Sequence, residues 1–182
     1  MKRIVLITVL TFSIFSMAQQ DNELPYREIP DHSNIYTAGA IMARMVDGLG
    51  VRYYWATEGL RREDLVYRPS ETGRSSEETI DHILGLSNFI LNVVSGSEKE
   101  KDATVLSFEG KRKQTLLNLK KVSEILLQTE DLSQFDTKFP FWNMINGPIE
   151  DAVWHCGQIV MMRRASGNPY SPKISLFSGK LK

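Results

Sequence analysis

The sequence predicts an all-α fold, a four-helix bundle with long crossover connections. Three observations predict it. Four segments of bundle length repeat their apolar residues at helical spacing. No stretch of useful length alternates with the period of a strand. Residues that start or stop helices sit at the ends of those segments. The loops between them are each about a dozen residues or longer, more than simple up-down neighbours need, so at least one crosses the bundle.

The first helix is expected from Asn34 to Gly59, where Ile35, Ala38, Ile41, Met42, Met45, Val46, Leu49 and Tyr53 recur on one side. Ser33 or Asn34 would cap it, and Gly48 and Gly50 would weaken it locally and allow a bend. Residues 60–75 are charged and contain Pro69 and Gly73, which marks a long connection. The second helix runs from Ser76 to Val94. Ser75 and Glu78 form a capping box ahead of it, Ser95-Gly96 ends it, and apolar residues on most of its circumference predict a central position. The mixed charges from Glu98 to Asp102 read as a solvated loop.

The third helix covers Gly110 to Thr129, with Leu116, Leu117, Leu119, Val122, Ile125 and Leu126 inside and Lys111-Arg112-Lys113 and Lys120-Lys121 on a solvent face. A loop over 131–146 is expected to pack Phe139, Pro140, Phe141 and Trp142 onto the bundle. The fourth helix starts at Gly147-Pro148, since proline suits a first helical turn, and ends near Arg164. Arg163 and Arg164 match its negative end, and Gly167 and Pro169 stop it. The remaining tryptophans and methionines, Trp55, Trp154, Met42, Met45, Met161 and Met162, are expected in the core.

Composition narrows the function. The 182 residues are 42% apolar and 24% charged, the profile of one domain with a real core. Twenty-two basic residues balance 22 acidic ones, leaving no positive excess to bind nucleic acid or an anionic membrane surface. A single cysteine, Cys156, excludes an internal disulfide and sits in an apolar context that fits burial. Met1-Lys2-Arg3, the apolar run Ile4 to Phe15 and Ser16-Met17-Ala18 have the order of a secretory signal peptide cut after Ala18. The run is shorter than the roughly 20 residues of a membrane-spanning helix. Three regions follow: the signal at 1–18, a polar, extended lead-in at 19–32 with Pro25 and Pro30, and one helical domain with a C-terminal tail over 33–182. Loss of Lys2 and Arg3 would leave an exported, in a bacterium periplasmic, chain carrying a small negative charge.

The three histidines divide by setting. His32 lies in the polar lead-in and reads as solvated. His82 and His155 lie in apolar helices, where each ring nitrogen needs a partner. Asp151 and His155 are four apart, about 40° from each other on one helix face, and Gln158 extends the same stripe. An acid and an imidazole so spaced can chelate a divalent ion, and His82 on a facing helix can supply a third ligand. The same pair can equally be a surface hydrogen bond or ion pair. No glycine-rich phosphate loop, nucleophile elbow or CxxC motif is present in the sequence. Cys156 follows His155 directly, so the two point to different faces.

Leu60-Arg61-Arg62-Glu63-Asp64-Leu65-Val66-Tyr67-Arg68-Pro69, followed by Ser75-Ser76-Glu77-Glu78-Thr79-Ile80-Asp81-His82-Ile83, resembles the first half of DinB-like proteins. His155-Cys156-Gly157-Gln158-Ile159, with Arg163-Arg164 and Asn168-Pro169 behind it, resembles that family's fourth-helix segment. The resemblance spans nearly the whole chain after residue 18. It implies a four-helix bundle of DinB-like type, often dimeric, holding a divalent metal between the second and fourth helices through three histidines. The ligand positions fall on His82, His155 and, where the family has a third histidine, Asp151. Aspartate there leaves two outcomes open: a working site with an altered metal preference among zinc, nickel, iron and manganese, or a decayed one in which Asp151 only bonds His155. Similar proteins include thiol-dependent S-transferases and isomerases.

Two functions are therefore expected in competition. One is an exported metal-dependent hydrolase or thiol S-transferase acting on a small molecule, with Gln158 and Glu150 orienting substrate or supporting the ligands. Glu150 also suits the first turn of a helix without any role in the site. The other is a non-catalytic bundle that binds a small ligand or a protein, its polar triad a hydrogen-bond network. The apolar second helix permits a homodimer.

Overall fold

The protein's computed structural model describes residues 23–97 and 105–182. The signal-peptide segment, the start of the lead-in and the charge run at 98–102 lie outside them.

The chain builds four long helices. α1 (Ala38–Thr57) starts where the Thr37 hydroxyl accepts from the Ala40 N–H, later than the Ser33 or Asn34 cap expected, and it runs unbroken through Gly48 and Gly50. Close packing explains one of these glycines. The Tyr26 ring, itself at φ 73°, occupies the space a side chain at Gly50 would take. A short helix, α2 (Arg62–Val66), interrupts the expected loop. α3 (Ser76–Ser95) opens on the Ser75/Glu78 capping box and stops at Gly96 in the left-handed region, as the sequence indicates. α4 spans Phe108–Leu127.

The 131–146 segment is more ordered than a loop. A 3-10 turn covers Leu132–Phe135, and a single turn, α5 (Trp142–Met144), runs into a wide π-type turn at Ile145–Ile149. Gly147 takes a non-helical conformation there (φ −92°, ψ −109°), so Pro148 sits in that turn and the last helix, α6 (Glu150–Ala165), begins two residues later than expected. The tail adds a two-stranded ladder, β1 (Ile174–Ser175) with β2 (Lys180–Leu181).

Cross-contacts fix the topology. Gly39 of α1 lies against the end of α4, and Arg112 at the start of α4 meets Thr57 and Glu58 at the end of α1, so these two helices are antiparallel. Lys111 meets Glu77 and Asp81 while Asn118 meets Ser87 and Asn88, so α3 and α4 run parallel. Ser76 meets Met162 while His82 meets Asp151, so α3 and α6 are antiparallel. α1 and α3 each pack on α4 and on α6 and sit diagonally across the bundle. Successive long helices are thus diagonal, parallel and diagonal, the crossover wiring that the loop lengths predict. No helix among the described residues is long and apolar enough to cross a membrane.

The core is apolar and contiguous. Val46, Tyr53, Ile80, Ile83, Leu116, Leu119, Leu126, Met144 and Ile159 are fully buried. Several expected core residues are not in it. Trp142 (75% exposed), Trp154 (72%) and Met161 (62%) face water, and Leu117, Phe89 and Met45 are also exposed. α3 is consequently one-sided rather than central. The basic residues of α4 form a solvent face only in part: Lys113, Lys120 and Lys121 are exposed, but Arg112 and Lys111 are not. Arg112 is buried over the Tyr54 ring and bonds Thr57 and Glu58, and Lys111 is largely covered by its two carboxylates. Nor is the lead-in free: Tyr26 and Ile29 are buried, and the tail holds it through Ile29 N–H to the Gly179 carbonyl and Leu181 N–H to Glu28.

Candidate metal centre

The core stripe of α6 is Ala152, Cys156, Ile159 and Arg163, at helical spacing of four, three and four. Asp151, His155 and Gln158 are each one residue ahead of that stripe, about 100° around the helix. Asp151 and His155 therefore lie half-buried at the rim of the α3–α6 seam, with Gln158 exposed beyond them. His82 has the same relation to α3, flanked by buried Ile80 and Ile83. Because the two helices are antiparallel neighbours, the rims coincide.

The result brings His82 to the Asp151/His155 pair that the spacing singles out. His82 Nε2 stands 3.0 Å from Asp151 Oδ2, and His155 Nε2 stands 3.3 Å from Asp151 Oδ1. The imidazoles meet edge to face, with ring centroids 4.6 Å apart. One ligand atom from each residue falls within 4.8 Å of the others. The side chains are partly covered: 12% exposed for His155, 32% for His82 and 39% for Asp151.

Gln158 orients the site. His155 Nδ1 is 2.7 Å from Gln158 Oε1, an acceptor only, so Nδ1 carries the proton and donates it. In the neutral ring, Nε2 then holds a lone pair, 3.3 Å from a carboxylate oxygen of Asp151. A proton or a cation between the two atoms would offset the repulsion of their lone pairs. Ligands 2.0–2.2 Å from a shared tetrahedral ion stand roughly 3.4 Å apart, and one ligand atom from each residue here lies within 4.8 Å of the others. Two imidazole nitrogens and one carboxylate form a group that could hold a metal ion.

Glu150 does not join this group. It is exposed at the first residue of α6 and makes no hydrogen bond or ion pair among the described residues, the helix-dipole placement of an acid in a first turn. Cys156 points into the core. Burial pushes its thiol up to about 12, so it stays protonated and takes no part in chemistry at the rim. His32 is exposed beside the Ser33 carbonyl.

Two features around the site escape sequence periodicity. The loop after α2 closes over the outer face of α6, leaving a groove of about 650 Å³ that reaches His155. Beyond it lies a polar anchor. Asp64, fully buried, accepts from both Arg61 guanidinium donors, from the Arg61 N–H, from Ser166 and from Asn168. Arg61 chiefly, with these other donors, holds its carboxyl well below the usual carboxylate range despite burial. Arg163, in the last turn of α6, donates to the carbonyls of Trp55, Ala56 and Glu58 at the end of α1 and to the Asn168 carbonyl just past its own helix. The signal for this anchor was present in the sequence as Arg61, Asp64, Arg163, Ser166 and Asn168, but the partners are about a hundred residues apart. Compared with family models, curated proteins and solved structures, the chain matches none.

Proposed function

We propose that His82, Asp151 and His155 bind one divalent metal ion and that the protein is an exported, metal-dependent hydrolase or thiol S-transferase. The observation that carries this reading is the orientation of His155. Gln158 accepts a hydrogen bond from Nδ1, and the other ring nitrogen lies beside a carboxylate that also bonds His82. When bound, such an ion supplies Lewis acidity and a lowered pKa for a water or thiol in its open positions. The protein's own residues do the rest: α3 and α6 each fix part of the donor set, Gln158 sets the tautomer, and the seam shields one side from solvent.

The resemblance of the helix-start and fourth-helix motifs to DinB-like proteins supports the same assignment, with Asp151 in place of one histidine. A carboxylate in the set keeps zinc, nickel, iron and manganese all suitable. The leader-like first 18 residues favour hydrolysis, which needs only water, over a reaction that draws on a cytosolic thiol.

One observation favours the second reading, a non-catalytic bundle. Asp151 spans both imidazoles by itself, so a doubly protonated His155 closes the network without an ion. Metal content separates the two. The chain from Gln19 onward, purified without chelator and analysed for bound elements, is expected to carry about one equivalent of a divalent metal. His155→Ala is expected to carry none. Absence from both, even after zinc, nickel, iron and manganese are added back, would overturn the metalloenzyme reading and leave the hydrogen-bonded bundle.

A further inference from the structure

The groove beside His155 has a composition that is unusual for a protein surface. Trp154 and Met161 stand on its α6 wall, 72% and 62% exposed, where a folded chain ordinarily covers such side chains. Gly157 lies between them with nothing within 4 Å of the position a side chain would fill, so the wall opens there. Opposite are Pro69 and Arg74 from the loop after α2. That loop is held in place: Arg68 donates to the Gly73 carbonyl and to Glu78. Arg74, by contrast, has no hydrogen-bond or ion-pair partner among the described residues, and no carboxylate lines the groove.

An unpaired guanidinium over an apolar wall, with no acid beside it, is complementary to one kind of ligand. The volume of about 650 Å³ lies in the range of small-molecule sites. The indole and the thioethers suit an aromatic or flexible aliphatic body. The guanidinium suits a carboxylate, to which it can donate two parallel hydrogen bonds. We propose that this groove binds a small amphipathic carboxylate, its apolar body laid on Trp154 and Met161 and its anionic end paired with Arg74. The proposal deepens the metal-site reading, because the groove ends at His155 and would deliver the ligand to the triad, but the binding itself needs no ion.

The test uses two probes of one shape, 4-phenylbutyrate and 4-phenylbutan-1-ol, titrated calorimetrically into the full chain. It is run in chelator and repeated after zinc is restored. In chelator the carboxylate is expected to bind about tenfold more tightly than the alcohol. Arg74→Gln is expected to abolish the difference, and Trp154→Ala to weaken both probes several-fold, with the circular dichroism of each variant unchanged. Equal affinity for the two probes, no binding of either, or a preference that survives Arg74→Gln would overturn the proposal. Zinc uptake without probe binding sinks the groove alone. Probe binding in a chain that takes up no metal sinks the metal site alone.

Discussion

Gln158 decides what His155 can do. By accepting from Nδ1 it leaves Nε2 to face Asp151 and His82, the arrangement in which an outer hydrogen bond sets the basicity and direction of a ligand. Gln158→Leu is therefore expected to leave the fold intact and lower zinc affinity by about 10–100-fold, the usual effect of losing such a partner. Competition against a chromophoric chelator would measure it, and an unchanged affinity would mean that the ring is held by its packing alone. Individual residues also show where pattern reading stops. The Asp151/His155/Gln158 stripe is legible because a helix face is set by spacing. The exposure of Trp154 and Met161 is not legible, because an apolar residue at helical spacing looks the same whether its face meets another helix or a groove.

At the scale of the element, two glycines in long helices carry opposite expectations. A side chain on Gly39 would stand 2.0 Å from the Thr129 carbonyl oxygen, a backbone atom that cannot swing away, so α1 approaches α4 here only because the side chain is missing. Gly85, exposed in the middle of α3, has nothing within 4 Å of its missing side chain. Gly39→Ala is expected to destabilise by about 2 kcal/mol, since the clash exceeds the gain in helix propensity. Gly85→Ala is expected to stabilise by up to about 1 kcal/mol. Urea denaturation of both variants checks this, and equal shifts of the same sign would contradict it. The elements whose ends carry their own chemistry, such as α3 with its capping box and terminal glycine, follow the sequence closely. The start of α6 does not, because Gly147 and Pro148 are compatible with a helix start and with the wide turn that the packing selects.

At the scale of the whole molecule, a polar anchor ties α2 to the turn that follows α6. Asp64 has its carboxyl held far below the ordinary range, chiefly by Arg61. A carboxylate depressed in the folded state contributes stability in full above its unfolded value, near pH 4. That contribution is lost as pH falls through the folded value. Glu78, lowered to about 2 by Arg68 and the capping box, acts in the same direction, weakened by its exposure to solvent. The protein is therefore expected to lose stability as pH falls below about 4. Asp64→Asn is expected to cost about 3 kcal/mol at pH 7, as breaking a buried pair does, and to flatten that acid limb. Denaturant midpoints at pH 7 and pH 3 measure both effects. A variant with the parent's full acid sensitivity would show that Asp64 is not its source.

By itself the sequence determined four helices, their approximate ends, the expectation of at least one crossover and the stripe that carries Asp151, His155 and Gln158. These follow from periodicity and end signals, which act over a few residues. Only the tertiary structure decided that His82 meets that stripe, that Arg112 and Arg163 are buried against the end of α1, and that Trp154, Met161 and Arg74 line one groove. Each of these is a contact between segments far apart in the chain. Local spacing sets which way a side chain points from its own helix, and the packing of the helices sets what it finds there.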